Sequence, residues 1–382
     1  MGLHEELRRI LFAHSRRYPQ MEIQDYIKLL YQHEFGCGHM LPDAGDSLRR
    51  ITEEYRTITG QPVPSSKHFF GESIGNGLCR LYLDAPPLGE EHLSLLSRMF
   101  AATANTHSGN LRQFEDKLNL LEQLVEQNQL PLDAVQVRED LQSYRRAGCQ
   151  PLGHSDRYRQ CYSPHYRVVK LAYGFFWPAF EAVQRLIESG RPITVAIDGR
   201  CSSGKTLLGA ALQGVFGGNL FHMDDFFLPF PLRTQERLAA PGGNIHHERF
   251  LQEVLVPLAA GQDVTFRAFD CATGEFQAPQ TLKYQLLNFV EGSYAHHPAF
   301  AGHYDLRMML TCFPQVQFRR LAAREDPESF QRFVRQWVPM EERYLHHCHI
   351  ADSCGLLLDT SEWDALKQGG IFSMTNQEED NS

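Results

Sequence analysis

The chain has 382 residues and a formal net charge of −9; its composition is that of a globular protein, and its length suggests two domains. Its Lys and Arg residues do not form the long clusters that binding to a phosphate backbone requires, which argues against a nucleic-acid partner. No stretch approaches the ~18 consecutive apolar residues of a membrane span. The nine cysteines form no Cys-x-x-Cys pair, and the first residues lack a signal-peptide pattern. We therefore expect no membrane partner and a cytoplasmic location.

Residues 1–175 are predicted to form a mostly α-helical domain, to which the sequence assigns no role. Apolar residues recur in it at helical spacing from Leu7 onward. Four of the predicted helices extend from a cap at Asp46 or Ser47 to Tyr55, and over residues 91–104, 111–127 and 132–147. Residues 60–77 are rich in turn-forming residues and are expected to be irregular.

Two polar stretches of this half, residues 32–39 and 162–167, place histidines and aromatic groups beside a residue that breaks regular backbone. With Asn76, Arg80 and His107 they predict either an anion-binding or regulatory pocket, or ordinary capping and packing. A zinc site is disfavoured because residues 33, 37 and 39 lack a fourth ligand at familiar spacing. The histidines of residues 346–349 are disfavoured as ligands because neighbours on a helix point in different directions.

A helix over residues 175–189 is predicted to connect the two halves. Residues 176–375 then alternate short β-branched or apolar runs with helical stretches, and a polar tail covers residues 376–382. This pattern predicts an α/β domain with a doubly wound parallel sheet and helices on both faces. The expected strands are residues 193–197, 220–223, 264–268, 286–290, 306–310 and 355–358.

The first of these strands leads into a loop with the sequence Gly199-Arg200-Cys201-Ser202-Ser203-Gly204-Lys205-Thr206. It fits G-x-x-x-x-G-K-S/T, and a helical stretch follows, so strand, loop and helix come in the required order. In such loops the backbone N–H groups and the helix N-terminus bind phosphates, the lysine reaches the β and γ oxygens, and the final hydroxyl serves Mg²⁺. The loop predicts ATP and Mg²⁺ as cofactors, and the competing interpretation is a chance glycine-rich turn.

Acidic residues follow two of the later predicted strands. Asp224 and Asp225 come after the second strand, and Glu291 comes after the fourth. Ligands of doubly wound sheets lie at these carboxyl ends. We expect one aspartate to align or deprotonate a substrate hydroxyl, the other to order Mg²⁺ through water, and Glu291 with Thr206 to hold the Mg²⁺ shell. Helix capping by the aspartates and a plain turn at Glu291 are the alternatives.

Arg320 and Arg324 are four residues apart in a predicted helix, which puts both guanidinium groups on one face. They are predicted to close over the triphosphate and to stabilise charge in the transition state. With Lys205 and Asp224 they form the predicted catalytic set. A plain surface helix is the alternative.

Over residues 191–360 the chain resembles the uridine kinase and phosphoribulokinase group of P-loop kinases. The resemblance rests on the phosphate loop, the arginine helix, Asp224 with two phenylalanines after it, residues 243–246 and 269–271, and Glu291-Gly292. It implies that Asp224 is the catalytic base and that Arg320 and Arg324 belong to a mobile lid. It also implies that residues 244–247 and 269–273 face the phosphate acceptor. The residues that we assign to the acceptor are Asp225, Asn244, His246 and Asp270.

Two positions depart from that group. His246 stands where uridine kinases usually carry the aspartate that binds the ribose hydroxyls, and Phe227 replaces the usual tyrosine. Residues 333–344 are similar to bacterial uridine-kinase-like proteins of unassigned substrate. Uridine is therefore not a safe assignment.

The sequence thus predicts an enzyme that uses ATP and Mg²⁺ to phosphorylate a hydroxyl of a small molecule such as a nucleoside, a sugar or a vitamin precursor. One alternative is a nucleotide-dependent switch whose helical half engages a protein partner or a small ligand. Another makes the helical half a second catalytic domain. The nucleotide base and the oligomeric state, including a homo-oligomer, stay open.

Overall fold

The computed structural model describes residues 3–37, 44–59, 69–86 and 88–373. It divides into two compact units, one of them Pro178–Ser361 and the other made of Met1–Trp177 together with Glu362–Ser382. Residues 362–373 thus belong with the first unit, whereas the sequence placed them at the end of the α/β domain. The predicted polar tail lies outside the described residues, as do residues 60–68 of the predicted irregular segment.

The first unit is built mostly from α-helices, as predicted. They are α1 Leu3–Arg17, α2 Ile23–Phe35, α3 Ala44–Ile58, α4 Leu93–Thr106, α5 Leu111–Glu126, α6 Ala134–Arg146, α7 Asp156–Tyr162 and α8 Leu171–Phe175, with α17 Trp363–Leu366 near the end of the chain. Side chains at the N-caps determine where several of them begin. Asn110 accepts hydrogen bonds from two backbone amides of α5, and Asp133 accepts one from α6. The predicted caps Asp46 and Ser47 lie inside α3, which begins earlier.

A four-stranded antiparallel sheet completes the first unit, and the sequence did not predict it. Its strands are β1 Gly71–Gly75, β2 Leu78–Tyr82, β3 Tyr166–Lys170 and β13 Ile371–Phe372, in the order β13-β1-β2-β3. Every residue of β1 and β2 is buried, so these strands lack the alternation of polar and apolar residues that marks a half-exposed strand. The expectation of irregular structure was therefore wrong for residues 71–75.

The second unit contains the predicted parallel sheet. Its strands are β4 Ile193–Gly199, β5 Asn219–His222, β10 Leu287–Glu291, β11 Leu306–Thr311 and β12 Leu356–Asp359. Five of the six predicted strands are confirmed. The order across the sheet is β12-β11-β4-β10-β5, and every neighbouring pair is parallel. Because the chain winds from the central strand β4 toward both edges, the carboxyl ends of the strands form a crevice of the kind that binds ligands.

The sixth predicted strand does not join this sheet. β6 Val264–Phe266 pairs antiparallel with β9 Gln280–Leu282, and between them β7 Phe269–Asp270 pairs with β8 Glu275–Phe276. The prediction that residues 264–268 belong to the parallel sheet is therefore wrong. Short connections between strands allow only antiparallel pairing, because a parallel pair of strands needs a long crossover. The apolar sequence of residues 264–268 does not show which strand it pairs with.

One helix precedes the first strand of the second unit, and further helices connect the later strands. They are α9 Trp177–Ile187, α10 Lys205–Phe216, α11 Gln235–Ala239, α12 His247–Phe250, α13 Val256–Ala259, α14 Pro314–Arg324, α15 Pro327–Arg332 and α16 Val338–His347. π-Helical turns join α12 to α13 and α15 to α16. The predicted helix over residues 175–189 is two helices, because Pro178 has no amide hydrogen with which to continue α8 into α9.

The core of the second unit fixes the ends of its strands. Val195 and Ile197 of β4 are fully buried, and so is Phe226, two residues beyond Asp224. The Phe226 ring packs edge-on against Phe250 with centroids 4.9 Å apart. This packing anchors the turn that follows β5. In the part of the chain that the structure describes, no helix is long and apolar enough to cross a membrane.

Candidate active site

The phosphate loop of residues 199–206 connects the central strand β4 to α10. Gly199 has a φ of +131° and Gly204 a φ of +102°. A Cβ at Gly199 would lie 2.7 Å from the amide nitrogen of Leu310 and closer still to its carbonyl oxygen, so the position requires glycine. A glycine loop between the central parallel strand and the next helix defines a P-loop α/β fold.

Lys205 and Thr206 lie at the N-terminus of α10. The buried Lys205 ammonium donates to the carbonyl oxygens of Gly199, at 2.7 Å, and Arg200, at 2.9 Å. Thr206 Oγ1 lies 3.2 Å from each carboxylate oxygen of Glu291. Hydroxyl and carboxylate oxygens are ligands of hard cations, so the donor set of Thr206 and Glu291 fits Mg²⁺.

Glu291 is buried at the end of β10, beside the end of β5. His222 Nδ1 lies 2.6 Å from its carboxylate, and this hydrogen bond raises the pKa of His222 above its usual value. The sequence analysis missed His222. The available signal was its position at the end of a predicted strand, one residue before the acidic turn.

Asp224 and Asp225 lie in a 3₁₀ turn, Met223–Phe226, that follows β5. The Asp224 carboxylate is open to the cavity described below, yet protein surrounds it on most sides, and this desolvation raises its pKa. Desolvation also raises the pKa of the half-buried Asp225, which is not among the cavity-lining residues. The structure thus separates two carboxylates that are adjacent in sequence.

Arg320 of α14 is bound to the phosphate loop. Its guanidinium donates to the carbonyl oxygens of Ser202, at 3.2 Å, and Thr360, at 2.6 Å. The Thr360 hydroxyl donates in turn to the carbonyl oxygen of Ser203, at 2.8 Å. Thr360 is a contact that the sequence analysis missed, and it supports the loop from a segment about 150 residues further along the chain.

Arg324 has a different environment, although it lies one turn further along the same helix. Its Nε donates to Glu325, at 2.6 Å, and its guanidinium lies 5.4 Å from the centre of the Phe333 ring. Arg320 therefore supports the loop, while Arg324 contacts the segment that leads into α16. Membership of a mobile lid stays a prediction for both residues.

Helix α16 contributes two glutamates that the sequence analysis missed. Glu342 binds the guanidinium of Arg200, with oxygens 2.6 Å from Nε and 3.1 Å from Nη2. The buried Glu341 accepts hydrogen bonds from the amide of Cys201, at 2.6 Å, and from the Ser293 hydroxyl, and burial raises its pKa. No local sequence signal identifies these residues, because only the tertiary fold brings α16 to the loop.

Asp198, just before the loop, is fully buried. It accepts hydrogen bonds from the amides of Tyr294, at 3.1 Å, and His296, at 2.8 Å, and from the Tyr344 hydroxyl, at 2.6 Å. These bonds hold Tyr294 at a φ of +73°, which is strained for a residue with a side chain. The Tyr294 hydroxyl is hydrogen bonded to the side chain of Asn244.

A cavity of about 800 Å³ opens at this edge of the sheet. The predicted site residues that line it are Cys201, Ser202, Gly204, Lys205, Thr206, Asp224, Asn244, Glu291, Arg320 and Arg324. The predicted residues that do not line it are Gly199, Arg200, Ser203, Asp225, His246 and Asp270. Asp270 accepts a hydrogen bond from the amide of Ala272, at 2.7 Å, and the His246 amide donates to the carbonyl of Phe226, at 2.8 Å.

The cavity is also lined by Phe230 and Arg233, which the sequence did not single out, and by Cys271, which belongs to the segment 269–273 that the resemblance placed at the acceptor. Backbone bonds connect two segments that contribute lining residues, since residues 226–228 pair with residues 244–246.

In the first unit, the predicted polar residues bind one another. Arg80 is 1% exposed; its Nε and Nη2 donate to Gln32 Oε1 at 3.1 and 2.8 Å, and its guanidinium lies 4.7 Å from the centre of the Tyr166 ring. Asn76 and His107 each bind a backbone carbonyl of α2. These contacts favour the packing alternative over an anion-binding pocket.

In the described parts of the chain, no group of three His, Cys, Asp or Glu side chains could hold a metal ion. A metal site other than that of Thr206 and Glu291 therefore has no support there. His39 of the disfavoured zinc site lies outside the described residues. At the end of α16, His349 lies 3.2 Å from Asp352.

No protein-family model matches the chain, and no curated protein sequence matches it. Solved structures are similar to about half of it. A possible uridine kinase from Bacillus stearothermophilus is 17% identical, with a TM-score of 0.36, over 48% of this chain and 100% of that one. A structure described as a fructose transport system kinase from a Silicibacter species is 20% identical, with a TM-score of 0.37, over 46% and 97%.

The shikimate kinase of Bacteroides thetaiotaomicron is 13% identical, with a TM-score of 0.24, over 46% of this chain and 94% of that one. At this level of similarity the comparisons carry no functional argument. The function proposed below is supported by the geometry of the site.

Proposed function

We propose that the chain transfers a phosphoryl group from ATP, with Mg²⁺, to a hydroxyl of a small molecule. The observation that supports this best is that a single cavity of about 800 Å³ is lined by both Lys205 of the phosphate loop and the carboxylate of Asp224. That volume suits small-molecule substrates. Phosphoryl transfer depends mainly on positioning and on stabilisation of charge, and the cavity combines groups for both.

At the nucleotide end, the amides of the phosphate loop and the N-terminus of α10 bind the phosphates. Lys205 is poised for this task, because its ammonium is already within the loop and needs only to exchange carbonyl oxygens for phosphate oxygens. Arg320 and Arg324 line the same cavity and add positive charge where the transferred group becomes more negative.

Thr206 and Glu291 are the residues that would hold Mg²⁺. Their oxygens already lie 3.2 Å apart, and His222 fixes the orientation of the Glu291 carboxylate. The ion would neutralise part of the charge on the phosphates.

At the acceptor end, Asp224 serves as the general base that takes the proton of the attacking hydroxyl. Desolvation raises the pKa of Asp224 above that of an ordinary aspartate, which makes its carboxylate a stronger base. Asn244 also lines the cavity and contacts the acceptor directly. His246 and Asp270 act through the segments that carry the lining residues, whereas Asp225 does not line the cavity and is given no role at the acceptor. The proposed acceptor is a small molecule with a hydroxyl group, such as a nucleoside, a sugar or a vitamin precursor. We also propose that the protein works in the cytoplasm and does not bind nucleic acid.

The test measures ADP formation from Mg-ATP by the purified protein over a panel of nucleosides, sugars, sugar phosphates and vitamin precursors. Asp224→Asn removes the base and is expected to lower turnover by roughly 10²- to 10⁴-fold. The dissociation constant for Mg-ADP, measured by calorimetry, is expected to stay unchanged. Asp225→Asn is the matched control, since it alters the next residue along the chain, whose carboxylate does not line the cavity.

Full turnover in Asp224→Asn would reject Asp224 as the base, and no heat of binding with Mg-ADP or Mg-ATP would reject the enzyme altogether. Hydrolysis of ATP that no acceptor stimulates, together with co-purification of a protein partner, would favour the nucleotide-dependent switch.

A further inference from the structure

The site contains a buried carboxylate to which the proposed function gives no task. Glu341 is 4% exposed and lines the same cavity as Lys205 and Asp224. We propose that Glu341 is a positioning residue of the phosphate loop that is ionised without nucleotide and takes up a proton when nucleotide phosphates bind. Nucleotide binding is then coupled to the uptake of a proton. The inference rests on the proposed function, which places the phosphates in the loop.

The two oxygens of this carboxylate have different kinds of partner. Oε2 accepts a hydrogen bond from the Cys201 amide, at 2.6 Å, and an amide N–H can only donate. Oε1 accepts from the Ser293 hydroxyl. A hydroxyl can also accept, so a proton on Oε1 reverses this second bond without breaking it. Both protonation states of Glu341 therefore keep two hydrogen bonds, and the loop amide keeps its acceptor in each.

Several charged or titratable groups face Glu341 from the phosphate loop, from the strand before it and from the segment after β10. They are Lys205, Arg200, Cys201, Asp198 and Tyr294. Burial raises the pKa of Cys201 to about 12 and also raises the pKa of Tyr294, so the thiol and the phenol are neutral. The guanidinium is paired with Glu342. The charges that decide the state of Glu341 are those of the other two groups.

These two charges act in opposite directions. Burial raises the pKa of Glu341, the charge of Lys205 opposes this effect, and the buried Asp198 adds to it. Lys205 is therefore the counter-charge that favours the ionised state. Nucleotide phosphates, which remain anionic when Mg²⁺ is bound, engage this ammonium and bring negative charge of their own. Both changes disfavour a buried carboxylate anion, and a proton taken from the solvent removes the repulsion while the loop amide stays bonded.

Calorimetry of Mg-ADP binding in two buffers of different ionisation enthalpy, at one pH, measures the protons taken up. Glu341→Gln is the test variant, since glutamine keeps an acceptor for the Cys201 amide and its NH₂ group donates to Ser293 as the carboxylic acid does. The unmodified protein is expected to take up more protons than this variant, by up to about one per nucleotide.

Glu342→Gln is the matched control. Glu342 is the next residue of α16 and pairs with Arg200 of the same loop, but it does not line the cavity. This variant is expected to take up as many protons as the unmodified protein, whatever its effect on affinity.

The pH dependence of binding has a fixed sign. Binding that takes up a proton weakens as the pH rises from the pKa of Glu341 in the free protein to its higher pKa in the complex. At pH ~8 Glu341→Gln is therefore expected to bind Mg-ADP more tightly than the unmodified protein, by roughly tenfold, and the two dissociation constants are expected to converge toward pH ~5. A merely structural role predicts the opposite, weaker binding by the variant at every pH.

Infrared difference spectra of the unmodified protein give a measure that needs no substitution. Binding of Mg-ADP is expected to convert a carboxylate band into a carboxylic-acid band, and this change is expected to be absent from Glu341→Gln. The inference is overturned if no such band forms in the unmodified protein, if Glu341→Gln takes up as many protons as the unmodified protein, or if both glutamine variants lose the uptake alike. Failure of Mg-ADP to bind at any pH would instead refute the proposed function, so the two failures are distinguishable.

Discussion

Gly199→Ala is expected to destabilise the second unit far more than an ordinary glycine substitution does. Gly199 pairs with Leu310 of the neighbouring strand β11, and its φ of +131° leaves no room for a side chain. The added Cβ would lie 2.7 Å from the amide nitrogen of Leu310 and closer still to its carbonyl oxygen. Because the obstacle is backbone, no side-chain rotation relieves the overlap, and β4 and β11 must separate.

The expected cost has two parts. Holding alanine in this region of φ costs about 1–3 kcal/mol, and forcing two packed strands apart costs about 1–3 kcal/mol more. Gly217→Ala, at the other end of α10, is the matched control. Gly217 has a φ of +75° and an added Cβ would have no neighbour within 4 Å, so the strain of about 1–2 kcal/mol is its only expected cost.

Urea denaturation of both variants and of the unmodified protein measures the difference, since equal slopes convert a shift of midpoint into free energy. Gly199→Ala is expected to lose about 1–3 kcal/mol more than Gly217→Ala, because the strain of alanine at positive φ is common to both variants. Equal losses in the two variants would show that the loop does not press against β11 as described, and the reasoning would be refuted.

Two further predictions concern buried titratable groups. Glu341→Ala leaves the Cys201 amide without its acceptor and is expected to cost about 1–3 kcal/mol of unfolding free energy. Glu341→Gln keeps an acceptor and is expected to cost less than about 1 kcal/mol. Equal urea midpoints of the two variants would contradict this. Burial lowers the pKa of His14 to about 4 and the pKa values of His33 and His154 to about 3. Below pH ~6.5 the unfolded chain therefore takes up protons that the folded first unit does not. Stability that is present above that pH is lost as the pH falls. His33→Gln keeps an acceptor for Lys117 and is expected to reduce the slope of unfolding free energy between pH 6 and 4.5 by about 1.4 kcal/mol per pH unit, and an unchanged slope would contradict this.

The parts of the fold that were predictable are those whose determinants are local. The phosphate loop combines a buried strand, two glycines at positive φ and the start of a helix within fourteen residues, 193–206, so its presence could be predicted from neighbouring residues. The strands of the parallel sheet are short runs rich in apolar residues between helical stretches, which is the pattern that the α/β class produces. β6 has the same kind of sequence, yet its pairing depends on β9, which no local pattern specifies.

The site was predictable to the same limit. Asp224 and Glu291 were identified because each lies at or just after the carboxyl end of a parallel strand, where position along the chain already implies position in space. Glu341 and Thr360 were missed because each contacts the phosphate loop only through tertiary packing. A glutamate in a helix and a threonine after a strand are common residues in ordinary places.

The two ends of the cavity are held by different kinds of bond. At the phosphate end, side chains of α14 and α16 and Thr360 bind loop atoms, so a change in any of them alters the loop itself. At the acceptor end, the backbones of residues 226–228 and 244–246 pair with each other, which leaves the side chains of those segments free to vary without loss of the pairing. Phe227 and His246, the two positions at which the sequence departs from the uridine kinase pattern, lie in these paired segments. Under the proposed function, substitutions of Asn244, which lines the cavity, are expected to change which molecule binds before they change the affinity for nucleotide.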